Sequence, residues 1–314
     1  MNRKEDININ SKVLEYIDSS ISSNTARAYR SDWEDFKKFC KYNKYQELPA
    51  KYETIGEYLV YCADTLNLRP STISRRIAAI VRTHRDNKHP LDTKHKYIRP
   101  TLQGIKRKKG TRQVGSKALL TQDIKKMIDA TNVDDIRSLR DKSLILLGFV
   151  GAFRRSEIVN ITYDDIEETI EGLIVHIKAS KTDQESIGRK VGIPYSKNHF
   201  YCPVKSYNRW IKASEINSGP LFRKINKSNN IEDKKLSDRT VALIIKNAVV
   251  NAGLNPSKYA GHSLRSGFAT SSAFAGADEK EIMKTTGHKS VQMVHRYIQD
   301  ANLFKNNAAK KLDL

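Results

Sequence analysis

Apolar residues in the first third of the chain recur every three or four positions, which is the spacing of one face of an α-helix. The clearest run contains Tyr29, Trp33 and Phe36, and it follows a segment from Ser22 to Thr25 that is rich in helix-capping residues. Comparable patterns predict three further helices, over 54–66, from 69 onward and over 97–107. This part of the chain is therefore predicted to be a bundle of four helices.

The pattern changes in the second half of the chain. Apolar and polar residues alternate from Ile174 to Lys178, which is typical of a half-buried strand, and Val191 to Pro194 predicts a second strand. The polar segment 180–189 between them is predicted to be a hairpin loop. Helices are predicted over 140–150, 202–214, 237–252, 262–275, 278–285, 291–298 and 301–312. The expected fold class is mainly α with a small antiparallel β-sheet.

The same patterns indicate how the chain is divided. We predict a flexible N-terminus at 1–20, a helical domain at 21–107 and a basic linker at 108–117. A second domain follows at 118–314 and includes a C-terminal helix at 301–312. The run from Lys106 to Gly115 is basic, contains two glycines and shows no periodicity, which favours a linker close to a phosphate backbone. An ordinary solvated loop is the alternative.

Net charge indicates the kind of partner. Lysine and arginine number 56 against 35 aspartates and glutamates, which gives a formal net charge of +21. The excess occurs both before and after residue 113, as expected if two domains bind one polyanion. We therefore predict that the protein binds nucleic acid, with charge that serves only solubility as the alternative.

Composition also excludes several classes of protein. No run approaches the ~18 apolar residues that a membrane span requires, and no apolar segment follows Met1 as in a secretory signal. The three cysteines, Cys40, Cys62 and Cys202, form neither a CxxC pair nor an even framework, which argues against a zinc site and favours a reducing compartment. We expect a cytoplasmic, DNA-associated protein with no metal and no membrane contact.

Basic side chains on the outer faces of the predicted helices are candidates for DNA contact. The arginines of the third helix, Arg75 and Arg76 among them, are predicted to face outward, opposite the apolar positions. The full candidate set is Arg27, Arg30, Arg75, Arg76, Arg82, Arg85, Lys106, Arg107, Lys108, Lys109 and Arg239. An ordinary solvated face is the alternative for each of them.

Catalytic candidates lie in the second half of the chain. Arg154 follows a buried segment, and Glu157 is three residues later, on the same helical face, where it can orient the arginine. Lys181 lies in the predicted hairpin loop, where a flexible ammonium can act as a general acid. Taken alone, Arg154 and Glu157 are equally consistent with a structural ion pair, and Lys181 with an exposed loop lysine.

Three more candidate places, with four residues between them, are near the C-terminus. His262 and Arg265 are spaced to share a helical face, so both can reach one phosphate. His288 follows Gly287 and offers a further hydrogen-bond donor, and Tyr297 carries a hydroxyl that can attack phosphorus. Each has a structural alternative, namely a capping histidine beside a surface arginine, a plain helix end and a half-buried core tyrosine.

The order and spacing of these residues resemble the signature of the tyrosine recombinases, the phage-integrase family. The segment 261–270 resembles the most characteristic box of that family, 154–157 its first-arginine box, and Lys181 with Ile193 and Pro194 its lysine hairpin. Within the family the chain looks most similar to the Cre-like branch, which has tryptophan at the position of His288. Many other members have histidine there.

The resemblance implies a mechanism. Arg154 and Arg265 would bind the scissile phosphate, Tyr297 would form a 3′-phosphotyrosine, and His262 would handle the proton of the nucleophile. Lys181 would protonate the leaving 5′ oxygen. His288 would contribute a hydrogen bond, with Glu157 in support. No ATP or metal cofactor is implied.

The resemblance also implies an architecture. Residues 21–107 would be a helical SAM-like core-binding domain, which forms a DNA clamp with a catalytic domain at 118–314. Four protomers would exchange strands between two duplex sites with inverted repeats, through a Holliday junction. The helix 301–312 would dock in the neighbouring protomer, with packing on its own domain as the alternative. A type IB topoisomerase and a catalytically idle DNA-binding regulator remain as alternative functions.

Overall fold

A computed structural model describes residues 21–111, 116–131, 135–178, 188–288, 290–302 and 312. The contacts divide the chain into two compact units, Met1–Val114 and Gly115–Leu314. No helix in the described ranges is both long and apolar enough to cross a membrane. The predicted segments 1–20 and 301–312 lie outside the described residues, apart from 301, 302 and 312.

Over residues 21–111, the described part of the N-terminal unit, the predicted four α-helices are present. Its helices are α1 (Ser23–Asn43), α2 (Tyr52–Val60), α3 (Pro70–Asp86) and α4 (Arg99–Lys109). Ser22 caps α1 by accepting a hydrogen bond from the backbone N–H of Thr25, as its sequence predicted. The core contains Phe36, Ile55 and Tyr58, all fully buried. Helix α2 continues into a π-helical turn, Tyr61–Thr65, so that the predicted second helix is interrupted near its end.

Two predictions in this unit are wrong. Arg76 does not face outward: it is buried beneath α1 and α2, where its guanidinium donates to Tyr58 Oη at 3.0 Å and pairs with Asp35. An ion pair and a phenol compensate the burial of its charge, which a helical periodicity alone does not reveal. Lys108 and Lys109 do not belong to an aperiodic linker but to the last turn of α4. Lysines in the last turn of a helix complement the helix dipole.

In its described ranges the C-terminal unit is mostly helical with two small antiparallel sheets, so the predicted fold class is confirmed. Its helices are α5 (Thr121–Asp129), α6 (Ile136–Val150), α7 (Arg155–Ile158), α8 (Pro203–Ser214), α9 (Asp238–Asn251), α10 (Ser263–Phe274), α11 (Glu279–Thr286) and α12 (Val291–Asn302). Its strands are β1 (Ile166–Thr169), β2 (Gly172–Ile177), β3 (Arg189–Pro194), β4 (Arg223–Ile225) and β5 (Ile231–Lys235).

The three-stranded sheet has the order β1-β2-β3. Strands β2 and β3 pair from Gly172 opposite Pro194 to Ile177 opposite Arg189. Val175, Val191 and Ile193 point into the main core of the unit, which the buried helix α6 also lines. The loop predicted between these strands, with Lys181 in it, lies outside the described residues except at Gly188 and Arg189.

Helix α10 is held against the start of the unit by close backbone contact at Gly267. A Cβ atom there would lie 1.8 Å from the carbonyl oxygen of Leu119, whose N–H donates to Ser263 O at 3.0 Å. Since backbone on both sides cannot yield, we expect Gly267→Ala to lower the free energy of unfolding by about 3 kcal/mol.

Urea unfolding of the purified variants measures this effect. Gly192→Ala is the matched control in the same unit, because a Cβ atom at Gly192 would meet no atom within 4 Å. A Gly267→Ala midpoint equal to that of the control would contradict the close approach.

Candidate active site

Arg154 and Glu157 form a capping pair at the start of α7. Arg154 is the N-cap residue, and its backbone N–H donates to Glu157 Oε2 at 2.9 Å. Its guanidinium Nη1 donates to Glu157 Oε1 at 2.6 Å. The Glu157 side chain is 1% exposed, so the carboxylate is tightly held. The predicted contact between these residues is present, although it arises at a helix cap and not along a helical face.

The adjacent Arg155 takes a different direction. Its guanidinium packs across Gly261, where a Cβ atom would lie 2.1 Å from Arg155 Nε, and it donates to the Asp238 carbonyl at 3.4 Å. Gly261 therefore gives Arg155 the space that a side chain would occupy. This packing supports the choice of Arg154, and not Arg155, as the first arginine of the site.

Arg265 is the most deeply buried cation of the site. It is 4% exposed, and Nη1 donates to the carbonyl oxygen of Ala152 at 2.8 Å. Ala152 has a φ of 49°, a left-handed conformation that is uncommon for alanine, in the turn that presents this carbonyl. Among the described residues, Nη2 of Arg265 has no hydrogen-bond partner. A buried donor without a partner is costly unless a ligand satisfies it.

Electrostatics agree with this view of Arg265. Burial lowers the pKa of its guanidinium to about 10, and the positive charge of Arg154 acts in the same direction. Glu157 and Tyr297 oppose that shift, so they too lie within electrostatic range. An anion beside Arg265 would relieve both the desolvation and the repulsion between guanidiniums.

Arg189, at the start of β3, is a third arginine of the site that the sequence motifs did not select. Nη2 donates to Glu157 Oε2 at 3.1 Å, and Nη1 donates to the Thr285 carbonyl at 2.6 Å. Alternation along β3 places Arg189 on the same face as the buried Val191 and Ile193. A charged residue at an inward strand position was the signal that could have identified it.

His288 lies at the end of the turn after α11 and is 8% exposed. Its Nδ1 is 2.8 Å from Thr286 Oγ1, whose single proton is donated to the Ile282 carbonyl at 2.7 Å. The hydroxyl must therefore accept from the histidine, which fixes the neutral ring as the Nδ1–H tautomer with a lone pair on Nε2. Burial lowers the pKa of His288 to about 4, and the charge of Arg265 adds to this effect.

Tyr297 on α12 is half-buried beside His288, with ring centroids 6.2 Å apart. It packs against a small apolar cluster that includes Ala269 of α10, Ile282 of α11 and Val294 of α12. The core-packing alternative and the functional interpretation are thus compatible, since packing fixes the ring near the arginines. We name Arg154, Glu157, Arg189, Arg265, His288 and Tyr297 the arginine cluster.

The two remaining catalytic candidates are placed differently. His262 is the N-cap residue of α10, and its side chain is exposed, whereas that of Arg265 is buried. Lys181 lies outside the described residues. Ile177 and Arg189, the described ends of β2 and β3, pair with each other, and Arg189 belongs to the arginine cluster.

The DNA-contact candidates also divide into groups. Arg75 pairs with Asp32 through two hydrogen bonds at 2.8 and 2.9 Å, and Arg82 pairs with Asp86. Both keep partly exposed side chains. The candidates that the structure leaves exposed at the surface of their own unit are Arg27, Arg30, Arg85, Lys106, Arg107, Lys108, Lys109 and Arg239.

Residues 117–303, more than half of the chain, match the phage integrase family. The chain belongs to the phage integrase family. Residues 14–86 match the phage integrase N-terminal SAM-like domain. The resemblance inferred from the motifs is therefore confirmed.

Individual relatives are similar over most of their length. An integrase/recombinase xerD homolog of Selenomonas ruminantium is 40% identical over 305 residues, which cover 96% of this chain and 89% of that protein. The recombinase cre of Escherichia phage P1 is 25% identical over 305 residues, which cover 90% of this chain and 85% of that protein. The fold resembles that of the Tn1549 transposon integrase in complex with transposon right-end DNA, with a TM-score of 0.64 at 13% identity. The match covers 94% of this chain and 95% of that one.

The state of His288 leads to an expected pH dependence. The folded-state pKa of about 4 lies below the ordinary histidine pKa of 6.5, so the unfolded chain binds the proton first as the pH falls. The contribution of the neutral His288 to the free energy of unfolding is therefore fully present above pH ~6.5. It is lost as the pH falls towards ~4, by at most about 3 kcal/mol. His288→Asn keeps a polar group near Thr286 but does not titrate, and should show a shallower loss.

Urea unfolding between pH 8 and pH 5 measures the difference in slope. His295→Asn is the control, because His295 is an exposed histidine on the same helix as Tyr297. Equal slopes for wild type and His288→Asn would contradict a buried neutral imidazole.

Proposed function

We propose that this protein is a site-specific DNA recombinase of the tyrosine type. The observation that carries the proposal is the buried Arg265, which lies in a cluster with Arg154 and Tyr297 and whose Nη2 has no hydrogen-bond partner among the described residues. Two guanidiniums around one site suit a phosphodiester, whose non-bridging oxygens accept the planar forks of arginine. Family membership and the 40%-identical recombinase homolog support the same activity.

In the proposed first step, Arg154 and Arg265 bind the scissile phosphate and stabilise the negative charge that grows on its oxygens. The hydroxyl oxygen of Tyr297 attacks phosphorus while the bond to the 5′ oxygen breaks. The products are a 3′-phosphotyrosine and a free 5′ hydroxyl. Glu157 supports the step by orienting Arg154, which it contacts at 2.6 Å.

Proton transfers accompany the attack. His262 takes the proton of the Tyr297 hydroxyl, and Lys181 gives a proton to the departing 5′ oxygen. His288 can donate to a non-bridging oxygen only after Nε2 gains a proton, since Nδ1–H is committed to Thr286. The negative charge of a bound phosphate favours that second proton.

Strand exchange follows from the chemistry of the intermediate. The phosphotyrosine keeps the energy of the phosphodiester, so a 5′ hydroxyl from a second duplex reverses the step and joins the strands without ATP. Arginines carry the charge stabilisation in this scheme, with no metal assigned. Repetition on the other strand pair passes through a Holliday junction.

The proposed assembly is a homotetramer on two duplex sites with inverted repeats. Residues 21–107 and the basic run at 106–109 would form one part of a DNA clamp, and a catalytic domain at 118–314 would form the other. The apolar stripe of helix 301–312 would dock in the neighbouring protomer, a proposal that rests on sequence because those residues, apart from 301, 302 and 312, are outside the described ones. A DNA-associated cytoplasmic location accompanies this role.

The test begins with selection of bound duplexes from a random pool, because the target sequence is unknown. Plasmids that carry one or two copies of the selected site are then incubated with the protein. A recombinase rearranges the two-site plasmid, whereas a type IB topoisomerase relaxes both plasmids and an idle regulator changes neither. Rearrangement that survives deletion of residues 300–314 would remove only the docking proposal.

A further inference from the structure

Arg189 joins three separate parts of the arginine cluster. It begins β3, its Nη2 binds Glu157 Oε2 at 3.1 Å beside α7, and its Nη1 binds the Thr285 carbonyl at 2.6 Å near the end of α11. The side chain is 17% exposed. These partners are 32 and 96 residues away in sequence, so one guanidinium fixes the relative positions of distant segments.

The turn that carries His288 is fitted around this side chain. Gly287 has a φ of 65°, and a Cβ atom there would lie 2.9 Å from Arg189 Nε and 3.0 Å from its Cδ. Nε itself is buried and has no hydrogen-bond partner among the described residues. Glycine is therefore needed both for the left-handed conformation and for close contact with the guanidinium. Contact with Arg189 thus fixes the position of the turn and of His288, which follows Gly287 directly.

Charge balance gives Arg189 a second effect. Each oxygen of Glu157 accepts from a different guanidinium, Oε1 from Arg154 and Oε2 from Arg189. With Arg265, three guanidiniums and one carboxylate leave a formal charge of +2. A phosphodiester carries one negative charge and its pentacoordinate transition state carries about two. Without Arg189, Glu157 would cancel one of the two phosphate-binding arginines.

We propose that Arg189 is a positioning residue for the strand-cleavage step. It orients Glu157, and through it Arg154, and it offsets the carboxylate so that the site retains the charge that the transition state requires. It also holds the turn that carries His288. This inference rests on the proposed function of the cluster.

The test compares Arg189→Gln and Arg189→Lys with wild type on a nicked duplex that traps the covalent adduct. We expect DNA affinity within about twofold of wild type, and single-turnover cleavage slowed on the order of 10²-fold in Arg189→Gln. Arg189→Lys should recover part of the rate, since it restores the charge but not both contacts. Arg223→Gln is the control, because Arg223 is a comparably buried arginine, 14% exposed, with bonds to Asp233, Ser218 and Pro220 instead.

Two further measurements separate positioning and charge from a general effect on the fold. A methylphosphonate at the scissile position removes the phosphate charge, and it should narrow the gap between Arg189→Gln and wild type. The double variant with Glu157→Gln should cleave no more slowly than Arg189→Gln alone, because Arg189 acts through Glu157.

Wild-type cleavage is the reference for these outcomes. If wild type forms no adduct on its selected site, the proposed recombinase function fails. If wild type cleaves and Arg189→Gln cleaves equally fast, only the role of Arg189 is overturned. The role of Arg189 would likewise be overturned by additive losses of cleavage rate in the double variant, together with an unchanged gap between Arg189→Gln and wild type on the methylphosphonate.

Discussion

Tyr297→Phe will bind the selected DNA site with unchanged affinity and will form no covalent adduct. The substitution removes only the hydroxyl oxygen, which is the proposed nucleophile, and keeps the ring that packs beside His288 and against Val294. Loss of a nucleophile leaves no alternative path to the phosphotyrosine, so we expect cleavage to fall by on the order of 10⁴-fold or more. Denaturing gels of the nicked-duplex reaction measure the adduct, and mobility-shift titration measures affinity.

Stability separates this chemical effect from a packing effect. Because the aromatic ring is retained, the free energy of unfolding should change by less than about 1 kcal/mol. Tyr259→Phe is the matched control: Tyr259 is 4% exposed in the core of the same unit, and it should keep full cleavage. An adduct in Tyr297→Phe would assign the nucleophile to another residue.

Arg265→Lys will slow cleavage by about 10²- to 10³-fold although it preserves the positive charge. Arg265 donates to the Ala152 carbonyl with Nη1 while Nη2 has no partner among the described residues, so one planar fork serves both backbone and phosphate. An ammonium on a flexible stem cannot reproduce this geometry. The expected loss corresponds to the removal of one preorganised donor from a transition state.

The measurement is the single-turnover cleavage rate at saturating protein. Arg209→Lys is the control, because Arg209 is an exposed arginine on α8 whose charge is also kept by lysine. Cleavage by Arg265→Lys within threefold of wild type would show that Arg265 supplies charge alone. An unchanged urea midpoint would confirm that the variant is folded.

Local sequence patterns determined most of the helices. Their apolar spacing reflects which face of each helix is buried. The Ser22 cap marks the start of α1 through a hydrogen bond to Thr25, only three residues later in the sequence. The same patterns failed for Arg76, because helical spacing identifies faces but not the partners that allow a charged side chain to be buried. Tyr58 and Asp35 supply those partners from other helices.

The sequence by itself also determined the chemistry on offer, since the order Arg154, Lys181, His262, Arg265, His288 and Tyr297 indicated the family. Only the tertiary structure decided how most of these groups are tuned. Arg189 contacts Glu157 of the cluster, and His288 is fixed as one neutral tautomer. Arg265 is buried, and its Nη2 has no hydrogen-bond partner among the described residues. The reason is physical: charge state and orientation depend on burial and on contacts such as Arg189 with Thr285, 96 residues apart, which no local pattern records.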